Sequence, residues 1–107
     1  MRKGIQMKEV VEDETMEEVG LLVTTAYKGV FFGYGIFSDA AQITLKRARM
    51  CIYWPTGEKG VMGLALVGPL PGAKIGPAVP SLILRDVTAV VICTSSAIEK
   101  WEKPPLW

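Results

Sequence analysis

The chain has 107 residues, which is enough for one domain with a modest hydrophobic core and too few for two. It contains no histidine, which excludes Ser-His-Asp and Cys-His catalytic arrangements and the commonest transition-metal ligand. Half of the residues are hydrophobic and the mean hydropathy is +0.29, which is high for a soluble monomer. We therefore expect a homo-oligomer that buries part of this apolar surface.

The net charge of +1 conceals an uneven distribution along the chain. Residues 1–18 contain six acidic and three basic residues, whereas residues 19–107 contain five acidic and nine basic residues. We interpret the first segment as an acidic leader or edge segment and the second as a single β-rich domain. The mildly basic domain favours an anionic partner, although dispersed surface cations also serve solubility.

The first two predicted strands form a hairpin. The apolar runs GLLVTTAY and VFFGYGIF span residues 20–27 and 30–37, with a turn at Lys28-Gly29 between them. In the second strand, alternation places four apolar side chains on one face: Val30, Phe32, Tyr34 and Ile36. Gly33 and Gly35 open the other face, where a second backbone or a ligand could approach closely.

The third predicted strand spans residues 42–54, QITLKRARMCIYW, and its apolar residues change faces partway along. Ile43 and Leu45 are odd-numbered, whereas the later apolar residues are even-numbered: Ala48, Met50, Ile52 and Trp54. A β-bulge near Lys46 and Arg47 reconciles the two sets, because one extra residue reverses the alternation. We expect the even-numbered set after the bulge to face the core.

The opposite face of the third strand is then predicted to be accessible, and it carries Arg49, Cys51 and Tyr53. One interpretation is a twisted strand with its cations in solvent, and the other is a ligand-binding strand.

Cys51 and Cys93 both lie in apolar strands, where a reduced cysteine serves as a small hydrophobic residue. We predict that both are free thiols.

The next segments carry weaker signals. Residues 60–68, GVMGLALVG, fit a two-turn helix or a short strand. Residues 68–80, GPLPGAKIGPAVP, contain four prolines and three glycines, which favours a structured loop over a helix or central strand. Lys74 lies among glycine amides that could bind a phosphate, but the segment lacks the spacing of a phosphate-binding loop.

The last segments predict one or two strands and a helix. Residues 81–94 contain AVVIC, whose continuous apolar character predicts a strand buried on both faces, either centrally or at an oligomer interface. Ser96 and Glu99 match a capping box for a final helix. The apolar stripe of that helix is Ala97, Ile98 and Trp101, and two prolines, Pro104 and Pro105, end it.

The predicted fold class is a β-rich α+β domain, a small, strongly bent antiparallel sheet or barrel with one or two short helices.

The apolar region 60–80 is too interrupted by glycine and proline for a membrane span, and the N-terminus lacks a signal-peptide core. We therefore expect a cytoplasmic protein with no membrane partner. Two cysteines do not make a zinc site, so we expect no metal and no cofactor.

Catalysis by paired carboxylates is also not expected. Each acidic side chain outside the leader is explained by a turn, a cap or a helix surface: Asp39, Glu58, Asp86, Glu99 and Glu102. The sequence therefore predicts a protein that is not an enzyme.

The order of the segments resembles a small domain family that is encoded by phages and prophages and is functionally uncharacterised. The resemblance covers residues 21–101 and rests on TAYKGVFFGYGIF, ITLKRARMCIYWPTG, GLALVG and VTAVVICTSSAIEKW. Its most specific element is Ala48-Arg49 followed by Tyr53-Trp54. The proline-rich loop and the acidic leader depart from the family pattern. In size and type the chain is also similar to viral sponge proteins that sequester nucleotide immune signals, including cyclic ADP-ribose species.

Two functional hypotheses follow. In the first, the protein binds an anionic, nucleotide-like small molecule, with Arg47 and Arg49 on its phosphate, Tyr53 or Tyr34 stacking on its base and Lys74 as a further cation. The alternative is a protein-interaction module that inhibits a host protein or forms a structural part of a phage. A nucleic-acid partner is disfavoured, because the basic domain is small and shows no recognition-helix pattern.

Overall fold

The computed structural model describes residues 17–104, and the predicted leader up to residue 16 and Pro105 lie outside them. The described residues form six strands and two α-helices, which confirms the predicted β-rich α+β class. The strands are β1 (Glu18–Thr25), β2 (Val30–Ile36), β3 (Ile43–Tyr53), β4 (Lys74–Ile75), β5 (Val79–Leu84) and β6 (Val87–Ile92). The helices are α1 (Gly60–Leu66) and α2 (Ser95–Glu102), and a 3-10 turn at Thr56–Glu58 precedes α1.

The strands form one antiparallel sheet in the order β4, β3, β2, β1, β6, and β5 also pairs with β3. β5 and β6 therefore lie at different ends of the sheet, yet only Arg85 and Asp86 join them. A connection this short spans at most about 11 Å, so the sheet must bend to bring the two strands together. Within residues 17–104 no pairing joins β5 to β6, so the structure is a bent sheet rather than a closed barrel.

β1 and β2 form the predicted hairpin, with Lys28 in the left-handed region at φ 67°. The two glycines of β2 lie against the backbone of β3. A Cβ atom on Gly35 would lie 2.7 Å from the carbonyl oxygen of Thr44, and one on Gly33 would lie 3.2 Å from that of Lys46. Glycine at these two positions therefore allows the backbone of β3 to approach β2 closely. Of the two alternatives for this face, a second backbone or a ligand, the structure shows the second backbone.

The predicted bulge in β3 is confirmed. Phe32 pairs with Arg49 and Tyr34 pairs with Lys46, so β3 has one more residue than β2 between these pairs. Arg47 lies in this stretch with φ 49°, in the left-handed region that few non-glycine residues adopt.

The centre of the sheet is buried on both faces. Adjacent residues on β1, Leu21 and Leu22, point in opposite directions, and both are 0% exposed. We call the residues between the sheet and the helices the helix-side core; its largest buried members are Leu22, Phe32, Leu64 and Trp101. The opposite-side core lies within the bend of the sheet and consists of Leu21, Val23, Ile43, Leu45, Ala48 and Leu84.

The bulge reverses the alternation of β3 as predicted, but the predicted core face is wrong for the end of the strand. Met50 and Ile52 are exposed, whereas Cys51, predicted to be accessible, is buried in the helix-side core. The physical reason is that β5 stops pairing at Ala48, so the opposite face is uncovered beyond it while the helix side stays covered. Trp54, which follows the strand, is partly buried against the helix-side core.

β6 lies at an edge of the sheet, so the first of the two positions predicted for AVVIC, a central one, is wrong, and Ile92 is exposed although burial on both faces was predicted. Its apolar residues nevertheless serve both cores, since Val90 packs on the opposite-side core and Val91 on the helix-side core. The sequence could not distinguish an edge strand that touches two cores from a central strand. An oligomer interface at β6 remains a prediction.

Helix α2 begins two residues earlier than a capping box at Ser96 would require. Thr94 is the N-cap, and its hydroxyl accepts a hydrogen bond from the amide of Ala97 at 3.1 Å. The Thr94 hydroxyl also lies 2.7 Å from the carbonyl oxygen of Leu66 and donates to it, which ties the start of α2 to the end of α1. The same hydroxyl therefore caps α2 and joins it to α1. The predicted stripe is confirmed, because Ala97 and Trp101 are 0% exposed and Ile98 packs against them.

Residues 60–68 adopt the helical alternative, as α1. Of the predicted loop at residues 68–80, residues 68–78 form a loop in which Lys74–Ile75 adds the short strand β4 to the edge of β3, and residues 79–80 begin β5. Among residues 17–104, no helix has the length and apolar character that crossing a membrane requires.

Candidate functional site

A pocket of ≈ 260 Å³ lies on the helix side of the sheet, between β2, β3 and the end of α2. Its side chains come from Phe32, Tyr34, Arg47, Arg49, Trp101 and Glu102, and the proline-rich loop adds Ala78. Three of the five predicted site residues therefore meet at one place, namely Tyr34, Arg47 and Arg49.

Arg47 reaches this pocket because it is the bulge residue. Its guanidinium carbon lies 4.2 Å from the centroid of the Tyr34 ring, a cation–π contact. The guanidinium thus covers one face of the Tyr34 ring. A planar ligand approaching from that side would stack on the guanidinium, which itself stacks well on aromatic rings.

Arg49 lies two residues after Arg47 on β3, pairs with Phe32 of β2 and is half-buried. Its Nη1 donates a hydrogen bond to the carbonyl oxygen of Gly76 at 3.2 Å, which ties the proline-rich loop to β3. An arginine has five N–H donors, so this bond leaves most of them for a ligand. Among residues 17–104, neither Arg47 nor Arg49 forms a salt bridge with a carboxylate.

Tyr34 and Glu102 form the other side of the pocket. The Tyr34 hydroxyl donates a short hydrogen bond to Oε2 of Glu102. Burial, together with this bond and the charge of Glu102, raises the pKa of Tyr34 to about 12. The phenol is therefore protonated at neutral pH and holds the Glu102 carboxyl group at the rim.

Two stacked rings form the floor of the pocket. The Phe32 and Trp101 rings are nearly parallel, at 5°, with centroids 5.1 Å apart. Trp101 also donates from Nε1 to the carbonyl oxygen of Leu64 at 3.1 Å. Because both rings are buried, they fix the positions of the rim residues and belong mainly to the core.

Tyr53 and Lys74 lie outside this pocket. They pair across β3 and β4, and the Lys74 ammonium group lies 5.9 Å from the centroid of the Tyr53 ring. The Tyr53 side chain is exposed. The five predicted residues thus form two separate groups, and the first lines the pocket between β2, β3 and α2.

Sequence reasoning did not identify Glu102, Phe32, Trp101 or Ala78 as site residues. Glu102 was interpreted as part of a helix surface, which is correct for its exposure but does not show that the helix ends beside Tyr34. One signal was present: Phe32 and Tyr34 share a strand face, and Trp101 is on the apolar stripe of the helix. Packing that stripe on that face would have brought Glu102 near Tyr34.

Glu58 is a further departure from the sequence interpretation, because it is 1% exposed rather than on the surface of a turn. Its Oε1 accepts a hydrogen bond from the amide of Leu70 at 2.8 Å, whereas Oε2 has no partner among the described residues. Burial raises the pKa of the Glu58 carboxyl above its usual range. The carboxyl closes the loop that follows α1, and the sequence contains no signal for this contact.

Cys51 and Cys93 are free thiols, as predicted, and both are buried. Burial raises the pKa of Cys51 to about 11 and that of Cys93 to about 12. Thiols with such pKa values stay protonated and are poor nucleophiles. Within residues 17–104, no group of three or more Cys, Asp or Glu side chains is arranged to hold a metal ion.

The chain was compared with known families, curated proteins and solved structures. A family model described as a domain of unknown function, DUF6948, matches residues 16–101. The chain belongs to the DUF6948 family. The match includes Tyr34, Arg47 and Arg49 and stops just before Glu102. No curated protein and no solved structure matches the chain.

Proposed function

We propose that this protein binds an anionic, nucleotide-like small molecule in the pocket of Arg47 and Arg49 and does not act as an enzyme. The observation that carries the proposal is the pair of guanidinium groups on one concave site, without a carboxylate partner among the described residues. Guanidinium groups bind phosphate oxygens through paired N–H donors. Such a pair therefore suits a phosphate.

The stacked arrangement of Arg47 on Tyr34 supports a ligand with a planar ring. A base can lie on the guanidinium plane and extend the stack, while Arg49 donates to the phosphate. A volume of ≈ 260 Å³ suits a base with part of its sugar and is smaller than most sites for larger ligands. The phosphate would then lie at the open side of the pocket.

The resemblance to a phage-encoded family suggests a biological role for this binding. A phage accessory protein that binds a nucleotide without consuming it could sequester a nucleotide immune signal in the host cytoplasm. The raised pKa values of both thiols support binding without covalent chemistry, because neither thiol is a ready nucleophile.

Isothermal titration calorimetry with nucleoside monophosphates, cyclic nucleotides and ADP-ribose tests the proposal. We expect one of them to bind the wild type, with an affinity that falls as salt rises. Arg49→Gln should lose most of this affinity. Arg85→Gln is the matched control, because Arg85 is exposed in the β5–β6 turn, and it should bind like the wild type. No binding of any of these ligands, or equal loss in both variants, would contradict the proposal.

A second candidate function is a protein-interaction module, either an inhibitor of a host protein or a structural part of a phage. The exposed Met50 and Ile52 on the uncovered face of β3 favour it, because adjacent exposed apolar side chains are common at protein interfaces. A partner captured by the wild type and by Arg49→Gln, but lost in Met50→Lys, would support this candidate. Capture that Met50→Lys leaves unchanged would reject it.

A further inference from the structure

Glu102 is an unexpected group in a pocket that is proposed to hold an anion. Its carboxyl group lies on the same pocket as Arg47 and Arg49, where a negative charge repels a phosphate. The Tyr34 hydroxyl nevertheless holds it there through a hydrogen bond to Oε2. A ligand that enters this pocket and takes water away from the exposed Glu102 carboxylate must bring hydrogen-bond donors to it.

A carboxylate has about four lone-pair sites, and the Tyr34 hydroxyl uses one of them. The others can accept two parallel N–H groups from a ligand. Among the common bases, guanine presents two adjacent donors, the ring N1–H and the 2-amino group. Adenine instead presents a ring nitrogen that accepts hydrogen bonds, and this acceptor would face the carboxylate without a partner.

We propose that the pocket selects a guanine nucleotide, with the Glu102 carboxylate accepting from the N1–H and 2-amino groups of the base. This inference rests on the proposed function and adds the identity of the base to it. Arg47 stacks on the base, Arg49 donates to the phosphate, and Tyr34 is a positioning residue that orients Glu102. The ligand thus supplies an anion to the two cations and a donor edge to the one anion of the site.

Calorimetric titration with GMP, IMP and AMP tests the selectivity, because IMP keeps the N1–H of GMP but lacks its 2-amino group. We expect GMP to bind the wild type roughly tenfold or more tightly than AMP, since a bidentate pair discriminates between bases by at least that order. IMP should lie between the two.

Glu102→Gln should abolish the preference for GMP over AMP, because the amide replaces one of the two acceptor oxygens with a donor NH2 group that faces a donor of guanine. Tyr34→Phe should reduce the preference while the folded protein still binds phosphate-bearing ligands, since only the hydroxyl that orients the carboxylate is lost. Glu99→Gln is the matched control on the same exposed helix surface, and it should keep the wild-type preference.

These titrations distinguish failure of the guanine selectivity from failure of nucleotide binding. Equal affinity of the wild type for GMP and AMP would overturn the guanine selectivity and leave the proposed nucleotide binding intact. A preference for GMP that persists in Glu102→Gln would also overturn the role of Glu102. If none of the three nucleotides binds and ADP-ribose and the cyclic nucleotides also fail, both this inference and the proposed function are wrong.

Discussion

The two faces of the sheet use the same strands for different purposes. On the opposite side, the bend encloses a compact aliphatic core around Leu21 and Leu45. On the helix side, the core is aromatic around Phe32 and Trp101 and ends in the pocket of Arg47 and Arg49. One face therefore mainly holds the fold together, while the other also places charged groups around a concave site.

The bulge in β3 is what separates the two roles. Before it, Ile43 and Leu45 point into the opposite-side core, and after it Arg49 and Cys51 point toward the helices. Arg47 itself adopts φ 49° and lies over Tyr34. In a regular strand Arg47 and Arg49 would share the face of Ile43 and Leu45, so the extra residue is what places the two arginines on the helix side.

The largest expected effect comes from removing the aromatic floor of the pocket. Trp101→Ala should lower the free energy of unfolding by about 3–5 kcal/mol, because it removes a fully buried ring and its bond to Leu64. Urea denaturation measures this change. A loss below about 1 kcal/mol would show that the helix-side core does not depend on Trp101 as the structure indicates.

The opposite-side core should affect stability without affecting the pocket. Leu45→Ala should cost about 2–4 kcal/mol, since Leu45 is 0% exposed and its removal leaves a cavity. At a temperature where this variant remains folded, its affinity for the ligand should equal that of the wild type. A selective loss of affinity in the folded variant would mean that the two faces are coupled.

A pH effect should distinguish the buried carboxyl of Glu58 from exposed ones. Because the pKa of Glu58 is higher in the folded state than the usual 4.5, the folded protein holds this proton more tightly than the unfolded chain does. Its contribution to stability is therefore present below pH 4.5 and is lost as the pH rises through the folded-state pKa. Glu58→Gln removes this loss.

The melting temperature of Glu58→Gln, measured from pH 4 to pH 8, should therefore rise relative to that of the wild type as the pH increases. Glu99→Gln, which changes an exposed acid, should follow the wild type across the same range. A constant difference between Glu58→Gln and the wild type would show that Glu58 does not titrate differently in the folded protein.

The smallest stability effect is expected at the bulge, where function and stability separate most clearly. Arg47→Gly should change the free energy of unfolding by less than about 1 kcal/mol, because glycine accepts φ 49° without strain. It should nevertheless abolish ligand binding. Lys28→Gly, at φ 67° in the β1–β2 turn, is the matched control and should keep full binding. Destabilisation by more than 2 kcal/mol in Arg47→Gly would assign Arg47 a structural role.

The sequence predicted those features that depend on local alternation. The β1–β2 hairpin, the bulge at Arg47 and the apolar stripe of α2 each follow from residue spacing. The sequence did not predict burial correctly where burial depends on whether another strand or loop covers that face of the chain. Met50 and Ile52 are exposed because β5 ends early, and Glu58 is buried because the loop at Leu70 folds over it.

The pocket was predictable in part for the same reason. Arg47, Arg49 and Tyr34 are close because they belong to adjacent strands, and the sequence placed them in those strands. Glu102 comes from a helix that follows much later in the chain, so only the tertiary packing of α2 reveals it.

If Arg47 and Arg49 hold a small phosphorylated molecule, native mass spectrometry should detect that molecule on the purified protein. Protein purified gently from its producing cells should show a second species above the 11.7 kDa chain, heavier by the mass of one phosphorylated ligand. Arg49→Gln should lack this species, and Arg85→Gln should keep it. The account would be contradicted if the bound species were absent from the wild type even after incubation with GMP and ADP-ribose, or if it persisted unchanged in Arg49→Gln.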